Sequence, residues 1–111
     1  MTIKGEFIFK MSNDEIVAPY KRVEHEKIIY IINEENMMAG VYGCDSSLLE
    51  LIIPKSIIYE SKEYIISIII EYSFKNSPIK SVRFAPDSKL RHIGKYSFYQ
   101  SEIESITIPS S

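Results

Sequence analysis

The triplet Tyr72-Ser73-Phe74 returns 24 residues later as Tyr96-Ser97-Phe98, and its surroundings return with it. Ile66 and Ile69 are answered by Leu90 and Ile93, Ser77 and Ile79 by Ser101 and Ile103, and Ser81, Val82 and Phe84 by Ser105, Ile106 and Ile108. Pro86 and Pro109 fall one residue out of phase because Ala85 is extra. A fixed period in this range is the signature of a solenoid, whose units are too small to bury their own apolar face and must stack on a neighbour. Each unit reads as a strand ending at a proline, a second strand, and a tight helical turn over the Tyr-Ser-Phe. Such a fold implies a binding or scaffold protein before it implies an enzyme.

Working outward, Leu48, Leu51, Ile53 and Pro54 have the spacing of Ile103, Ile106, Ile108 and Pro109, so the repeat is entered at Leu48. Val82 with Phe84, and Ile106 with Ile108, point one way and stack into a core. Lys80, Arg83, Glu104 and Thr107 are expected on or near the exposed face, where a ligand could be read. The prolines stop each first strand because they cannot donate a ladder hydrogen bond. Phe74 and Phe98 are the large plugs of successive turns.

Residues 1–47 follow a different grammar. Ile3 to Phe9 alternates with the period of a half-buried strand. A less regular strand follows around Ile16 to Val23, with Pro19 placing it at an edge or a bend. Ile28 to Ile32 and Met37 to Tyr42 bracket the polar Asn33-Glu34-Glu35-Asn36, which predicts a β-hairpin. A solenoid exposes a raw apolar end, so this segment is expected to be a cap.

Composition agrees with strands and removes several functions. The chain of 111 residues is 45% apolar, holds 21 isoleucines and no tryptophan, and is β-branched and aromatic in character. Thirteen Lys and Arg stand against 15 Asp and Glu, a formal charge of -2, which gives no basic footprint for nucleic acid. Cys44 is alone, so neither an intramolecular disulfide nor a cysteine metal site can close within the chain. No apolar run reaches the roughly 18 residues of a membrane span, and neither a signal peptide nor an anchor is visible.

Candidate chemistry is thin. His25 between Glu24 and Glu26 suggests a metal only superficially, since adjacent strand residues point to opposite faces. His92 takes the place of Ile68 in the previous unit. The four glycines form no phosphate loop, and no nucleophile elbow accompanies the serines. No cofactor is expected and no catalytic residue emerges. Tyr59, Tyr64, Tyr72, Tyr96 and Tyr99 are the amphipathic anchors that interfaces favour, with about half of them expected in the core.

The segments IESITIPSS (Ile103 to Ser111) and LRHIGKYSFYQS (Leu90 to Ser101) resemble the two halves of the BspA-like, or treponemal-type, leucine-rich repeat. IPKSIIYESKEYIISI resembles a first unit lengthened by a hairpin over Tyr59 to Glu63. The family's turn glycine is kept at Gly94 but is Ile70 one unit earlier, which predicts a distorted turn there; its usual alanine before the phenylalanine is Ser73 and Ser97. The resemblance implies a β-rich leucine-rich-repeat solenoid, short strands with short helical turns, with an N-terminal β-hairpin cap over 1–47 and about two and a half units over 48–111.

In function the resemblance implies a protein-binding scaffold, in the family associated with cell-surface adhesion. The rival expectation is an intracellular structural or assembly component that docks through an open C-terminal repeat face. With the array ending at Pro109-Ser110-Ser111, the chain is expected either to be a piece of a longer protein or to stack that face on another molecule.

Overall fold

The isoleucine-rich runs become strands in the computed structural model, which describes Ile16 and residues 18–107. Nine strands lie among the described residues: β1 (Tyr20–His25), β2 (Ile28–Asn33), β3 (Met38–Cys44), β4 (Glu50–Ile53), β5 (Ser56–Tyr59), β6 (Lys62–Ile69), β7 (Ser81–Phe84), β8 (His92–Ile93) and β9 (Ser105–Ile106). The expected strand over Ile3 to Phe9, together with Ile108 and Pro109, lies outside the described residues.

The first three strands form an antiparallel meander. Glu26 and Lys27, both at positive φ (50° and 68°), make the two-residue turn that matches the twist of β1 and β2. The predicted hairpin joins β2 to β3, where the Asn33 side-chain oxygen accepts from the N–H groups of Glu35 and Asn36 at 2.9 and 3.3 Å. Among the described residues β1 pairs only with β2, and Pro19 stands just before it. A second tight turn, Glu60-Ser61 (φ 49° and 68°), closes the β5–β6 hairpin.

From β3 onward the chain stacks in parallel. β3, β6 and β8 form one ladder, with rows Gly40–Ile68–His92 and Val41–Ile69–Ile93. β4, β7 and β9 form a separate sheet, with the row Leu51–Val82–Ile106 facing inward. Leu51 and Val82 are fully buried, and Ile106 packs half-buried against the same core. Pro54 follows β4 directly, whereas after β7 the Ala85 N–H first donates to the Ile53 carbonyl at 2.9 Å and Pro86 then stops the ladder. That extra hydrogen bond accounts for the one-residue slip between prolines.

The larger sheet runs in the order β1-β2-β3-β6-β5, with β8 also against β6. A flat sheet would hold β1 and β5 about 19 Å apart. Yet the Lys21 ammonium of β1 lies 5.2 Å from the ring centre of Tyr59 on β5, so the sheet is curled into a half-barrel. The concave side holds Val23, Tyr30, Ile32, Val41, Ile57, Tyr64 and Ile66 in one core with Leu51, Ile53, Phe74 and Ile79. Ile31 is buried on the other side with Ile70, among Tyr20, Met38, Tyr42 and Ile68. Burial on both faces is why β2 reads as an unbroken apolar run rather than an alternation.

The Tyr-Ser-Phe segments are not helical. Residues 71–76 and 95–100 are chains of β-turns, with Ser73, Lys75 and Ser77 N–H groups each donating three residues back and Ser97, Tyr99 and Ser101 doing the same. Between them, the N–H groups of Tyr72, Phe74 and Asn76 donate across to the carbonyls of Lys95, Ser97 and Tyr99, at 3.3, 2.7 and 2.9 Å. A helix would keep those donors within its own turn; here every second donor is used to join one unit to the next. The geometry needs a left-handed residue at matched places, Tyr72 with Tyr96 (φ 62° and 56°) and Asn76 with Gln100 (φ 60° and 55°). Ile70 therefore does not distort its turn, which has the same dihedral and hydrogen-bond pattern as the one after Gly94.

Two residues seat the turns on the stack. The Ser73 hydroxyl reaches the Val41 carbonyl of the preceding layer at 2.8 Å, and the Ser97 hydroxyl reaches Ile70 at 3.3 Å. Each also contacts the carbonyl at the start of its own turn, Ile70 and Gly94. Gly94 is needed for close approach: a Cβ there would lie 2.4 Å from the Glu71 nitrogen and 2.7 Å from the Ile69 oxygen.

Candidate functional site

Two surfaces of the stack present side chains at the repeat period. The first is the outer face of the β4-β7-β9 sheet. Strand alternation turns Leu51, Ile53 and Val82 inward and Glu50, Ile52 and Arg83 outward. Ile52 and Arg83 are register partners, and Thr107 N–H donates to the Val82 carbonyl at 3.0 Å, which sets Thr107 beside Arg83 in the next layer. Arg83 and Thr107 thus share one exposed row with Ile52, which is 64% exposed.

Lys80 and Glu104 are also exposed but do not join that row. They lie just ahead of β7 and β9, in an odd-numbered step from Arg83 and Thr107, and the Glu104 N–H donates to the Lys80 carbonyl at 2.7 Å. The four residues expected on or near that face therefore form two pairs, one on the strand face and one at the strand entrance.

The second surface is the turn edge, and it is built from columns. Residues in the same phase of the repeat stack directly, so Phe74 lies on Phe98 in the interior, rings 5.3 Å apart and 7° from parallel. Outside, Tyr72 stacks on Tyr96 at 5.5 Å, and Tyr99 meets Tyr96 edge-on at 5.7 Å. Lys75 has the phase of Tyr99, and its ammonium sits 5.7 Å from the Tyr72 ring centre and 5.8 Å from that of Tyr99. Lys95 lies 5.1 Å from the Tyr96 ring centre. Of the five tyrosines singled out in the sequence, Tyr64 is core, Tyr59 is half-buried against Lys21, and Tyr72, Tyr96 and Tyr99 form this exposed ridge. Lys75 and Lys95 escaped the sequence reading; writing the two units in register would have set Lys75 on Tyr99.

Tyr72, Lys75, Tyr96 and Tyr99 line an open cleft of 320 Å³. Tyr72 also lines the neighbouring cleft, 420 Å³, with Tyr42, Ile70, Glu71 and Ser73, so the two share a wall. A third depression, 440 Å³, lies between Glu26, Tyr30, Glu50, Ile52 and Pro54. Though larger, it sets two carboxylates on an apolar wall, whereas the ridge gathers aromatic faces and hydrogen-bond donors.

Titratable groups elsewhere are tuned by structure rather than by any catalytic arrangement. Burial, reinforced by the Glu26 carboxylate, pushes the Tyr30 phenol well above the usual tyrosine range. Burial also raises Tyr64, and it raises the Cys44 thiol with help from Asp45. Asp45 is held low by the Ser47 hydroxyl and by the Ser47 N–H, which donates at 2.8 Å. His25 contacts Glu26 at 3.8 Å through the turn, and His92 is exposed beside Ile68 in the ladder as its phase requires. Among the described residues no group of three or more His, Cys, Asp or Glu side chains converges on a metal site, and no helix is long and apolar enough to cross a membrane.

Comparison with known proteins places this geometry. A leucine-rich repeat protein from Bacteroides capillosus has the same fold, with a TM-score of 0.68 at 24% identity over 79% of this chain and 65% of its own. A leucine rich cell surface protein from Faecalibacterium prausnitzii gives a TM-score of 0.65 at 20% identity, over 79% of this chain and 23% of its own. The chain thus spans less than two thirds of either neighbour. No curated protein matches it significantly. The family model described as "BspA type Leucine rich repeat region (6 copies)" matches residues 41–111, beginning inside β3. With more than half of its length in that match, and with parallel layers built from the repeated unit, the chain belongs to the BspA type leucine-rich repeat family.

Proposed function

We propose that this chain is a non-enzymatic protein-recognition solenoid acting in adhesion or ligand binding at a cell surface. The observation that carries this reading is the stacking of like-phased residues into exposed columns on two edges of one stack, Ile52–Arg83–Thr107 and Tyr72–Tyr96. Each column can be rewritten without touching the core rows behind it, which is how repeat scaffolds acquire partners. Arg83 and Thr107 contact the partner from the strand face, with Lys80 and Glu104 at its margin. The description of the Faecalibacterium prausnitzii neighbour as a cell surface protein supports the location. Residues 1–47 act as the cap, a role supported by the parallel pairing of β3 with β6, which makes the hairpin the first layer of the stack.

A second reading, docking of the last layer onto a larger assembly, is favoured by one feature. Among the described residues no acceptor faces the N–H groups of Tyr96, Phe98 and Gln100, the counterparts of the three donors that join one turn to the next.

A photocrosslinking residue placed in turn at Arg83, Thr107, Tyr99, Phe98 and Gln100 in the source cells tests the scaffold, and surface biotinylation of the same cells tests the location. Protein adducts at Arg83, Thr107 or Tyr99 on biotinylated material support the first reading. Adducts confined to Phe98 and Gln100 on unlabelled material favour the second, and no adduct at any position overturns both.

A further inference from the structure

The turn-edge ridge has a chemical character that a generic binding surface lacks. Tyr72, Tyr96 and Tyr99 are each close to half exposed (47%, 49% and 46%) although their rings are packed on one another. They are therefore held in place and still present their phenol edges, so little side-chain freedom is left to lose on binding. The Lys75 ammonium is held between two of those rings, and cation–π contact leaves its N–H donors unspent. No carboxylate lines the 320 Å³ cleft, and among the described residues neither Lys75 nor Lys95 is ion-paired. In a chain of net charge -2 the ridge is a local inversion of sign, rich in donors and without a charged acceptor. The adjoining cleft across Tyr72 is different: it offers the apolar Ile70 and carries Glu71 on its rim.

We propose that the ridge binds an extended acidic peptide segment of a protein partner, seating an Asp or Glu carboxylate on the Lys75 ammonium among the Tyr72, Tyr96 and Tyr99 hydroxyls. The next apolar side chain lies across Tyr72 toward Ile70, where Glu71 repels a second carboxylate. The motif read is thus an acid beside an apolar residue rather than a run of acids. This inference rests on the protein-recognition reading and names the partner chemistry of one of its two surfaces. An ammonium–carboxylate pair held over aromatic faces is a charge-assisted contact of the stronger kind.

The test is fluorescence anisotropy with a labelled peptide of alternating glutamate and leucine, at low and high salt, with the lysine–leucine peptide and a sulfated oligosaccharide as comparisons. Binding to the unmodified chain is expected to weaken with salt. It is expected to fall about tenfold in Lys75→Gln and in Tyr99→Ser, and to be unchanged in Lys62→Gln on the β5–β6 hairpin. All three side chains are exposed, so the fold is left intact. Equal affinity in Lys75→Gln, equal binding of the lysine peptide, or capture of the sulfated oligosaccharide in place of the peptide overturns the proposal. A ridge that ignores the peptide while crosslinks still form at Arg83 and Thr107 rejects this inference alone; absence of crosslinks at every position rejects the reading beneath it.

Discussion

Phe74 lies flat on Phe98, 5.3 Å between ring centres, yet the two are unequally covered: Phe74 is 1% exposed, while Phe98 is only half-buried. One ring is enclosed by layers on both sides and the other by one. Among the described residues, the layer of Phe74 is thus the better enclosed of the two.

Phe74→Ala is expected to cost about 3–5 kcal/mol, since it empties a fully enclosed site and removes the stacking partner. Phe98→Ala is expected to cost about 1–2 kcal/mol, because its ring is only partly buried and its site is not enclosed. Urea unfolding of both variants decides the matter; equal losses would mean that the last layer is as well buried as the one before it.

Gly94→Ala is expected to destabilise by about 1–3 kcal/mol through overpacking. Its added methyl would meet backbone atoms of Glu71 and Ile69, which cannot swing aside as a side chain could. The hydrogen bond from the Gly94 N–H to the Ile69 carbonyl, 2.7 Å, is the contact that must lengthen. Amide hydrogen exchange at Gly94 should quicken together with a lower unfolding midpoint, and an unchanged midpoint would show that the layers can separate freely at this point.

The repeat was legible in the sequence because phase maps directly onto contact. Tyr72 over Tyr96, Phe74 over Phe98, and Leu51, Val82 and Ile106 in one row all follow from the alignment of units. The parallel pairing of β3 with β6 was hidden, because Val41 and Ile69 stand 28 residues apart rather than 24 and the β5–β6 hairpin intervenes. The turns read as helical because no glycine marks Tyr72, Asn76, Tyr96 or Gln100. Their left-handed backbone is imposed by hydrogen bonds to the next unit, which local propensity cannot report. Of the four residues expected on or near the exposed face, Arg83 and Thr107 share one row, and Lys80 and Glu104 stand at the strand entrance because an odd-numbered step separates them from that row. The tyrosine ridge was half visible, since its lysines come from two different phases.

Alkaline pH is expected to unfold the protein cooperatively. The Tyr30 and Tyr64 phenols are raised chiefly by burial, so both keep their protons where an unfolded tyrosine loses its own. Above about pH 10 the native state then binds more protons than the unfolded state, and stability falls as pH rises. Phenolate absorbance should show the exposed tyrosines titrating first and a late step coincident with loss of circular dichroism. A single smooth titration without unfolding would contradict the burial of these two rings.

Cys44 is expected to react slowly with iodoacetamide. Burial and the neighbouring Asp45 carboxylate both raise its thiol, which reduces the thiolate available near neutral pH. Asp45→Asn should speed the reaction modestly by removing one of those causes. A native rate equal to that in urea would count against this environment.

The matched turns carry a consequence for how such a chain changes length. Since the turn at Tyr72 to Ser77 and the turn at Tyr96 to Ser101 share their dihedral pattern and their hydrogen bonds, the surface on which a layer is received is a copy of the one on which it is passed on. Growth and loss are thereby quantised. Duplicating or deleting a whole 24-residue unit preserves every row, whereas an odd-numbered insertion within a strand turns the residues beyond it to the other face. Whole layers are accordingly the unit of length that the stack accepts, while a one-residue slip is accommodated beyond a strand, as at Ala85, and not within one.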